Sequence, residues 1–268
     1  MTRRTIFAVV ATILATTFTL EASAWGGFGH RTVAEIAERH LTPKAKANIE
    51  RYTKGTPLAD YSVWLDQVRN NDPVLRDITD GWHAAVADEK CQTSPEIRKK
   101  HRNDRDAVSV LLKFTDMFKE REKLSDSTVM FALKCIVHMV GDINCPAHLR
   151  YSDCRNDGKF KITYMGKNVT LHKVWDTSVI TRGRKGWSPA NYADILDTYT
   201  PQQIKRATKG WVEDWFEDAA RNVRPSITWV KEGDSLDEEF QEKALPLAEM
   251  QVRKAGYQLA KYLNTIFE

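Results

Sequence analysis

The segment from Ser127 to Val140 is almost entirely apolar, and it constrains the fold more than any other part of this sequence. A stretch that is apolar on all sides is typical of a helix buried among other helices. His138 lies inside the segment and Asp142 follows it, so on a helix their side chains share one face. An unpartnered carboxylate would be costly there, because burial removes its hydration. A metal ion or a buried ion pair would offset that cost.

Helical patterns occupy most of the remaining chain. Apolar residues at helical spacing predict helices in five further stretches, at residues 30–42, 43–53, 107–118, 201 onward and 239–266. Pro246 kinks or divides the last of these. The alternating stretch KFKITYMGKNVTL predicts one hairpin with its turn at Met165 to Lys167. With 268 residues and no repeat or linker, we predict one mainly α-helical, bundle-like domain with a single short β-hairpin.

The first 24 residues are typical of a secretory signal peptide. Two arginines precede an apolar run, and Ala22-Ser23-Ala24 is a cleavage site of the small-x-small type. The run is short and rich in Thr, which disfavours the alternative of an uncleaved membrane anchor. We therefore predict a mature domain over residues 25–268, in a secreted or periplasmic location and without stable membrane association.

Four cysteines form an even set, which predicts two disulfides in an exported protein. Three pairings are possible. We favour Cys145–Cys154, because it closes a short loop, and this leaves Cys91–Cys135 as the second bond. A zinc–thiolate site is less favoured, because the spacings do not resemble Cys-x2-Cys and the compartment is oxidising.

Further His and Asp residues occupy apolar or small-residue settings. The spacing of His138 and Asp142 recurs in LHKVWDTSVI, and Asp66 shares a helix face with Arg69 in VWLDQVRN. Each feature alone has a plainer explanation, such as a structural histidine or an exposed helix pair. Together they exceed what one tetrahedral zinc ion needs, which indicates more than one ion. The candidate ligands are His30, Asp66, His83, His138, Asp142, His148, His172 and Asp176.

In chain order the motifs are Trp25-x4-His30, Trp64-x-Asp66-x2-Arg69, Trp82-His83, His138-x3-Asp142-x5-His148 and His172-x3-Asp176. This ordered set resembles the zinc-dependent, single-strand-preferring nuclease family named after nucleases S1 and P1. The resemblance implies a mainly helical fold, three zinc ions, and hydrolysis of single-stranded RNA and DNA to 5′-phosphorylated products. It also implies 3′-nucleotidase activity and a monomer whose substrates are single-stranded nucleic acid and nucleotides.

The resemblance also implies a role for each motif residue. Arg69 is expected against the phosphate, with Asp66 beside it in the catalytic machinery. Trp25 is expected to bind metal through its α-amine, which exists only after the leader is cut. The chain departs from the family pattern at three places: Asn156-Asp157-Gly158 replaces a Gly-Gly-Asn stretch, Thr170 stands where Asn is usual, and Cys145 stands where Gln is common. The implied ligand sets are Trp25, His30 and Asp142 for one ion, Asp66, His83, His138 and the bridging Asp142 for a second, and His148, His172 and Asp176 for a third.

Two other functions stay open at this point. A bacterial zinc phospholipase C shares the N-terminal Trp and the His-x3-Asp-x5-His spacing, but it typically has Glu where Asp176 stands. A non-catalytic zinc-binding helical protein would hold its ions in closed ligand spheres. The ligand set split over several ions, with Arg69 nearby, favours the nuclease.

Overall fold

Helices dominate the computed structural model, which describes residues 25–154 and 159–268, and the predicted mainly α fold is confirmed. The predicted signal peptide lies outside the described residues. The helices are α1 (Gly26–Arg39), α2 (Pro43–Thr53), α3 (Leu58–Tyr61), α4 (Trp64–Asn71), α5 (Pro73–Thr79), α6 (Pro95–Arg102), α7 (Ala107–Phe118), α8 (Asp126–Asp142), α9 (Leu171–Lys173), α10 (Val179–Gly183), α11 (Pro189–Leu196), α12 (Pro201–Ala207), α13 (Val212–Val223) and α14 (Glu238–Phe267). Single 3-10 turns span Arg121–Lys123 and Arg224–Trp229, and a π turn spans Val174–Ser178.

The apolar segment forms α8, and this helix lies at the centre of the molecule. Ser125 caps it, because its side chain accepts a hydrogen bond from Thr128 N at 3.2 Å. Helices α1, α2, α3, α4, α7 and α14 pack around it. Its last turns are buried on every side, so the fold carries His138 and Asp142 into the interior with no exposed surface.

The C-terminal pattern forms one continuous helix, α14, of 30 residues. Pro246 lies inside it without dividing it, because Pro246 faces solvent and the carbonyl that loses its partner belongs to exposed Glu242. The helix packs closely along α1, since a Cβ added at Gly256 would lie 2.6 Å from Ile36 Cβ. Among the described residues, no helix is long and apolar enough to cross a membrane.

The predicted hairpin is present as β3 (Lys161–Tyr164) and β4 (Lys167–Thr170), paired antiparallel. The prediction of a single hairpin was incomplete. Strand β5 (Ser235–Leu236) adds to β3 in parallel, and β1 (Ala85–Ala87) pairs in parallel with β2 (Leu149–Tyr151). These extra strands have two or three residues each, which is too short for a recognisable alternation.

The four cysteines are free in the structure, and neither favoured pairing, Cys145–Cys154 or Cys91–Cys135, is formed. Strand β2 separates Cys145 from Cys154 and carries the chain roughly 10 Å in an extended conformation. Cys135 is fully buried in α8. The disulfide prediction is therefore corrected: the Cys145 thiol faces Asp176 instead, with Sγ 3.5 Å from Oδ1.

Candidate metal centre

The structure brings all nine predicted ligand residues together at the C-terminal end of α8. Helix α1 contributes His30 and is preceded by Trp25, α4 contributes Asp66, and the turns before β1 and β2 contribute His83 and His148. His172 and Asp176 come from α9 and the π turn that follows it, a local irregularity that is common at functional sites. All nine are buried except Asp66 and His172, whose side chains are 14% and 28% exposed.

Four donor atoms surround one point next to α8. His83 Nδ1, His138 Nε2 and Asp142 Oδ2 lie 3.1 Å from one another in every pairing. Asp66 Oδ1 lies 3.6 Å from the His83 nitrogen and 3.7 Å from the His138 nitrogen. Donors held at 2.0–2.2 Å around a tetrahedral zinc ion are separated by roughly 3.3–3.6 Å. This donor set therefore fits zinc in both chemistry and spacing.

Asp142 faces two groups of donors at once. Its Oδ2 belongs to the set above, whereas its Oδ1 lies 3.4 Å from His30 Nε2. Neither ring nitrogen of His30 has a hydrogen-bond partner among the described residues, although the side chain is fully buried. Because unpaired buried polar atoms are costly, a second cation between His30 and Asp142 fits this arrangement. One carboxylate would then bridge two ions.

Trp25 differs from the expectation. Its backbone N, which is an amide in the uncleaved chain, donates to Asp176 Oδ1 at 3.0 Å. Its indole Nε1 donates to Gly141 O at 2.9 Å, which fixes the ring against α8. The N-terminal end of α1 is therefore held at the centre by the indole, while its main-chain nitrogen meets the third donor group instead of His30.

The third donor group lies around Asp176. His148 Nε2 is 3.3 Å from Asp176 Oδ1, and His172 Nε2 is 3.4 Å from Oδ2. Cys145 Sγ belongs to the same group, because the ligand atoms of Cys145, His148 and Asp176 all lie within 4.8 Å of one another. The sequence pattern did not place Cys145 at this group; its only signal was a Cys where the family commonly has Gln.

Main-chain carbonyls orient two of the histidines. His138 Nδ1 contacts Ser62 O at 2.7 Å, and His148 Nδ1 contacts His83 O. A ring whose Nδ1–H is donated to a carbonyl presents a free Nε2 lone pair to a cation. The backbone therefore selects the tautomer that both donor groups need.

The buried charges of the centre stabilise one another. Burial disfavours the imidazolium of His138, but the carboxylates of Asp142 and Asp66 outweigh this effect and raise its pKa to about 9. Burial likewise opposes the charge of Asp176, yet hydrogen bonds to His148 and His172 lower its pKa to about 2. The pKa of Asp142 lies well below its usual value, because the neighbouring histidines overcome its burial. The pocket thus retains two carboxylates suited to cations.

A cationic cleft of about 400 Å³ opens onto the centre. His83, His148 and His172 form part of its wall, and Arg69 lines the same cleft. Three further cationic residues line the cleft, namely Arg102, Arg150 and Lys159. Sequence reasoning missed these three, because nothing in their spacing connects them. Two larger grooves elsewhere on the surface contain none of the predicted ligands.

Comparison with known proteins identifies the class. Residues 25–268 match the family model of the S1/P1 nucleases, and the chain therefore belongs to this family of zinc-dependent nucleases. The protein is accordingly a hydrolase that acts on nucleic acid. This membership supports the nuclease over the phospholipase C and the non-catalytic alternatives.

Individual relatives align with this chain over most of their length. The chain is 26% identical to Nuclease S1 of Aspergillus oryzae over 275 residues, which is 90% of this chain and 91% of that protein. It is 23% identical to Nuclease P1 of Penicillium citrinum, over 90% of this chain and 97% of that protein. It is 25% identical to Endonuclease 1 of Arabidopsis thaliana, over 91% of this chain and 87% of that protein.

Proposed function

We propose that this protein is a trinuclear zinc nuclease that cleaves single-stranded RNA and DNA to 5′-phosphorylated products and also removes 3′-phosphates from nucleotides. The observation that carries the proposal is the position of Asp142. One of its oxygens faces His83 and His138 at 3.1 Å, and the other faces His30 at 3.4 Å. This shared carboxylate lies beneath the cationic cleft, where a phosphodiester group would be attracted.

The donor groups assign the residues that would hold zinc. When bound, zinc lowers the pKa of a coordinated water and polarises phosphate oxygens as a Lewis acid. The three sets are Asp66, His83, His138 and Asp142; His30 and Asp142; and His148, His172 and Asp176. The resemblance adds the freed α-amine of Trp25 to the second set, which requires that cleavage release this nitrogen from Asp176 Oδ1, 3.0 Å away in the uncleaved chain.

Arg69 and Asp66 are the two residues that would act on the phosphate and on the attacking water. A guanidinium matches phosphate oxygens with two parallel donors, so Arg69 orients the group and neutralises charge that grows on it. Asp66 Oδ1 faces His83 and His138, whereas its Oδ2 has no hydrogen-bond partner among the described residues. That free oxygen is placed to accept a proton from the attacking water.

The recessed position of the donors supports a preference for single strands. A strand whose base can leave the stack brings its phosphate into a cleft of this size more easily than a duplex does. The predicted signal peptide supports a secreted or periplasmic location, and its removal would free the Trp25 amine before the enzyme acts.

The test uses the leader-cleaved protein loaded with zinc. We expect 5′-mononucleotides from single-stranded RNA and DNA, slower cleavage of duplex DNA, and loss of activity with a chelator, with products identified by mass spectrometry. Asp142→Asn should abolish activity, whereas Asp126→Asn, an exposed carboxylate at the start of the same helix, should not. Release of phosphocholine from phosphatidylcholine with nucleic acid left intact would overturn the proposal.

A further inference from the structure

The inference concerns Cys145, which lies in the turn after α8 and is fully buried. Its Sγ is 3.5 Å from Asp176 Oδ1, and the same oxygen is 3.3 Å from His148 Nε2. The three side chains therefore present sulfur, oxygen and nitrogen to one small volume. The thiol donates a hydrogen bond to this carboxylate oxygen, so it already belongs to the same group of polar atoms.

Two of the neighbouring atoms lack partners. His148 Nε2 and Asp176 Oδ2 are buried and have no hydrogen-bond partner among the described residues. His148 is 6% exposed and Asp176 is not exposed at all, so bulk water does not satisfy them. His148 Nδ1 already contacts the His83 carbonyl, which leaves Nε2 as a lone pair directed toward Asp176 and Cys145. These unpaired atoms indicate a cation independently of the thiol.

The spacing of the donors fits zinc with a sulfur ligand. Zinc binds sulfur at about 2.3 Å and nitrogen or oxygen at about 2.0–2.2 Å. Around a tetrahedral ion, a sulfur and an oxygen donor are then about 3.5–3.7 Å apart, and a nitrogen and an oxygen donor about 3.3–3.6 Å. The sulfur–oxygen and nitrogen–oxygen distances here are 3.5 and 3.3 Å.

We propose that Cys145 binds as a thiolate to the ion held by His148, His172 and Asp176. The S–H bond breaks as the sulfur–metal bond forms, and the proton leaves to solvent through the cleft. The proposal rests on the proposed function only in that this site holds a metal ion. With two imidazoles, a carboxylate and a thiolate, the protein would supply four donors, and a phosphate oxygen would have to bind as a fifth ligand. A thiolate also selects zinc or cobalt over magnesium and manganese.

The experiment is X-ray absorption spectroscopy at the zinc edge on the leader-cleaved, zinc-loaded protein, freed of added thiols by gel filtration. We expect a sulfur shell at about 2.3 Å beside the nitrogen and oxygen shell. The cobalt-substituted protein should show a thiolate-to-cobalt charge-transfer absorption in the near ultraviolet. Both signals should vanish in Cys145→Ser and persist in Cys135→Ser, which changes a buried cysteine inside α8 that belongs to none of the three donor groups.

Two results would overturn the inference. One is a wild-type protein with full zinc content and no sulfur shell. The other is a sulfur shell that persists unchanged in Cys145→Ser, because it would come from another cysteine. If Cys145→Ser does not fold, the wild-type spectrum and Cys145→Ala decide the question. Nuclease activity with zinc bound but no sulfur shell would refute this inference and leave the proposed function intact.

Discussion

Gly141 offers the sharpest test of how α8 positions the centre. A Cβ added at this glycine would lie 2.8 Å from His30 Nδ1 and 2.9 Å from His30 Cε1. Ordinary contact begins near 3.4 Å, so the imidazole of His30 must move by about 0.6 Å in Gly141→Ala. The ring is stacked on His138 with centroids 3.9 Å apart and is fully buried, which leaves little room for this movement.

The expected effect on metal affinity is large compared with that on folding. Site geometry must be kept within about 0.5 Å, and displaced supporting residues typically cost 10–100-fold in metal affinity, or about 1.4–2.7 kcal/mol. Overpacking costs about 1–3 kcal/mol of folding free energy, but replacing a helical Gly by Ala returns about 1 kcal/mol. Gly141→Ala should therefore fold, with at most about 2 kcal/mol lost, and bind one zinc ion much more weakly.

The assay is zinc content by mass spectrometry after dialysis against graded zinc buffers, together with thermal unfolding of the same samples. Gly256→Ala is the matched control, since its Cβ would lie 2.6 Å from Ile36 rather than against a ligand. It should lose thermal stability with zinc affinity unchanged. Wild-type zinc affinity and activity in Gly141→Ala would refute the argument that this glycine makes room for His30.

Three further predictions follow from the site. Arg69→Ala should lower kcat on a dinucleotide by about 10²–10³-fold with zinc content unchanged, and lost zinc would contradict its assignment to the phosphate. In the zinc-free protein, Asp176 has a pKa of about 2, so it contributes folding stability above pH 4 that is lost as the pH falls through 2. His138 has a pKa of about 9, so it contributes folding stability below pH 6.5 that is lost as the pH rises through 9. Denaturant midpoints measured against pH should fall on both sides, and Asp176→Asn should flatten the acid side. The double variant Arg102→Ala with Arg150→Ala should reduce the slope of log binding constant against log salt concentration for an oligonucleotide by about 0.7 per lost phosphate contact. Hydrolysis of a mononucleotide should be unaffected. An unchanged salt slope would show that neither arginine contacts the bound strand.

The sequence predicted the elements and motifs whose signal is local. Helix α8 was predicted from one apolar run, and the pairing of His138 with Asp142 followed from helical spacing alone. The hairpin was predicted because alternation and a turn signal coincide. In each case the residues that interact lie within a few positions of one another, so the backbone period decides their geometry.

What the sequence could not predict depends on contacts between distant segments. Arg102 ends α6, which packs against β1, and Arg150 lies in β2, so the two meet at the cleft through the pairing of β1 with β2, and no sequence spacing connects them. Cys145 was assigned to a disulfide because Cys154 is near in sequence. Its true neighbour, Asp176, lies 31 residues away and reaches it through the π turn. The thiol and the carboxylate become one site only after the chain has folded.

The packing of α14 along α1 has a consequence for the order in which the molecule is made. All the metal donors lie between residues 25 and 176, yet α1, which carries His30, is supported by a helix that begins at Glu238. A chain emerging from the ribosome holds every donor long before it holds that support. We therefore expect the donors of α1 to take up their final positions only after the last helix has docked.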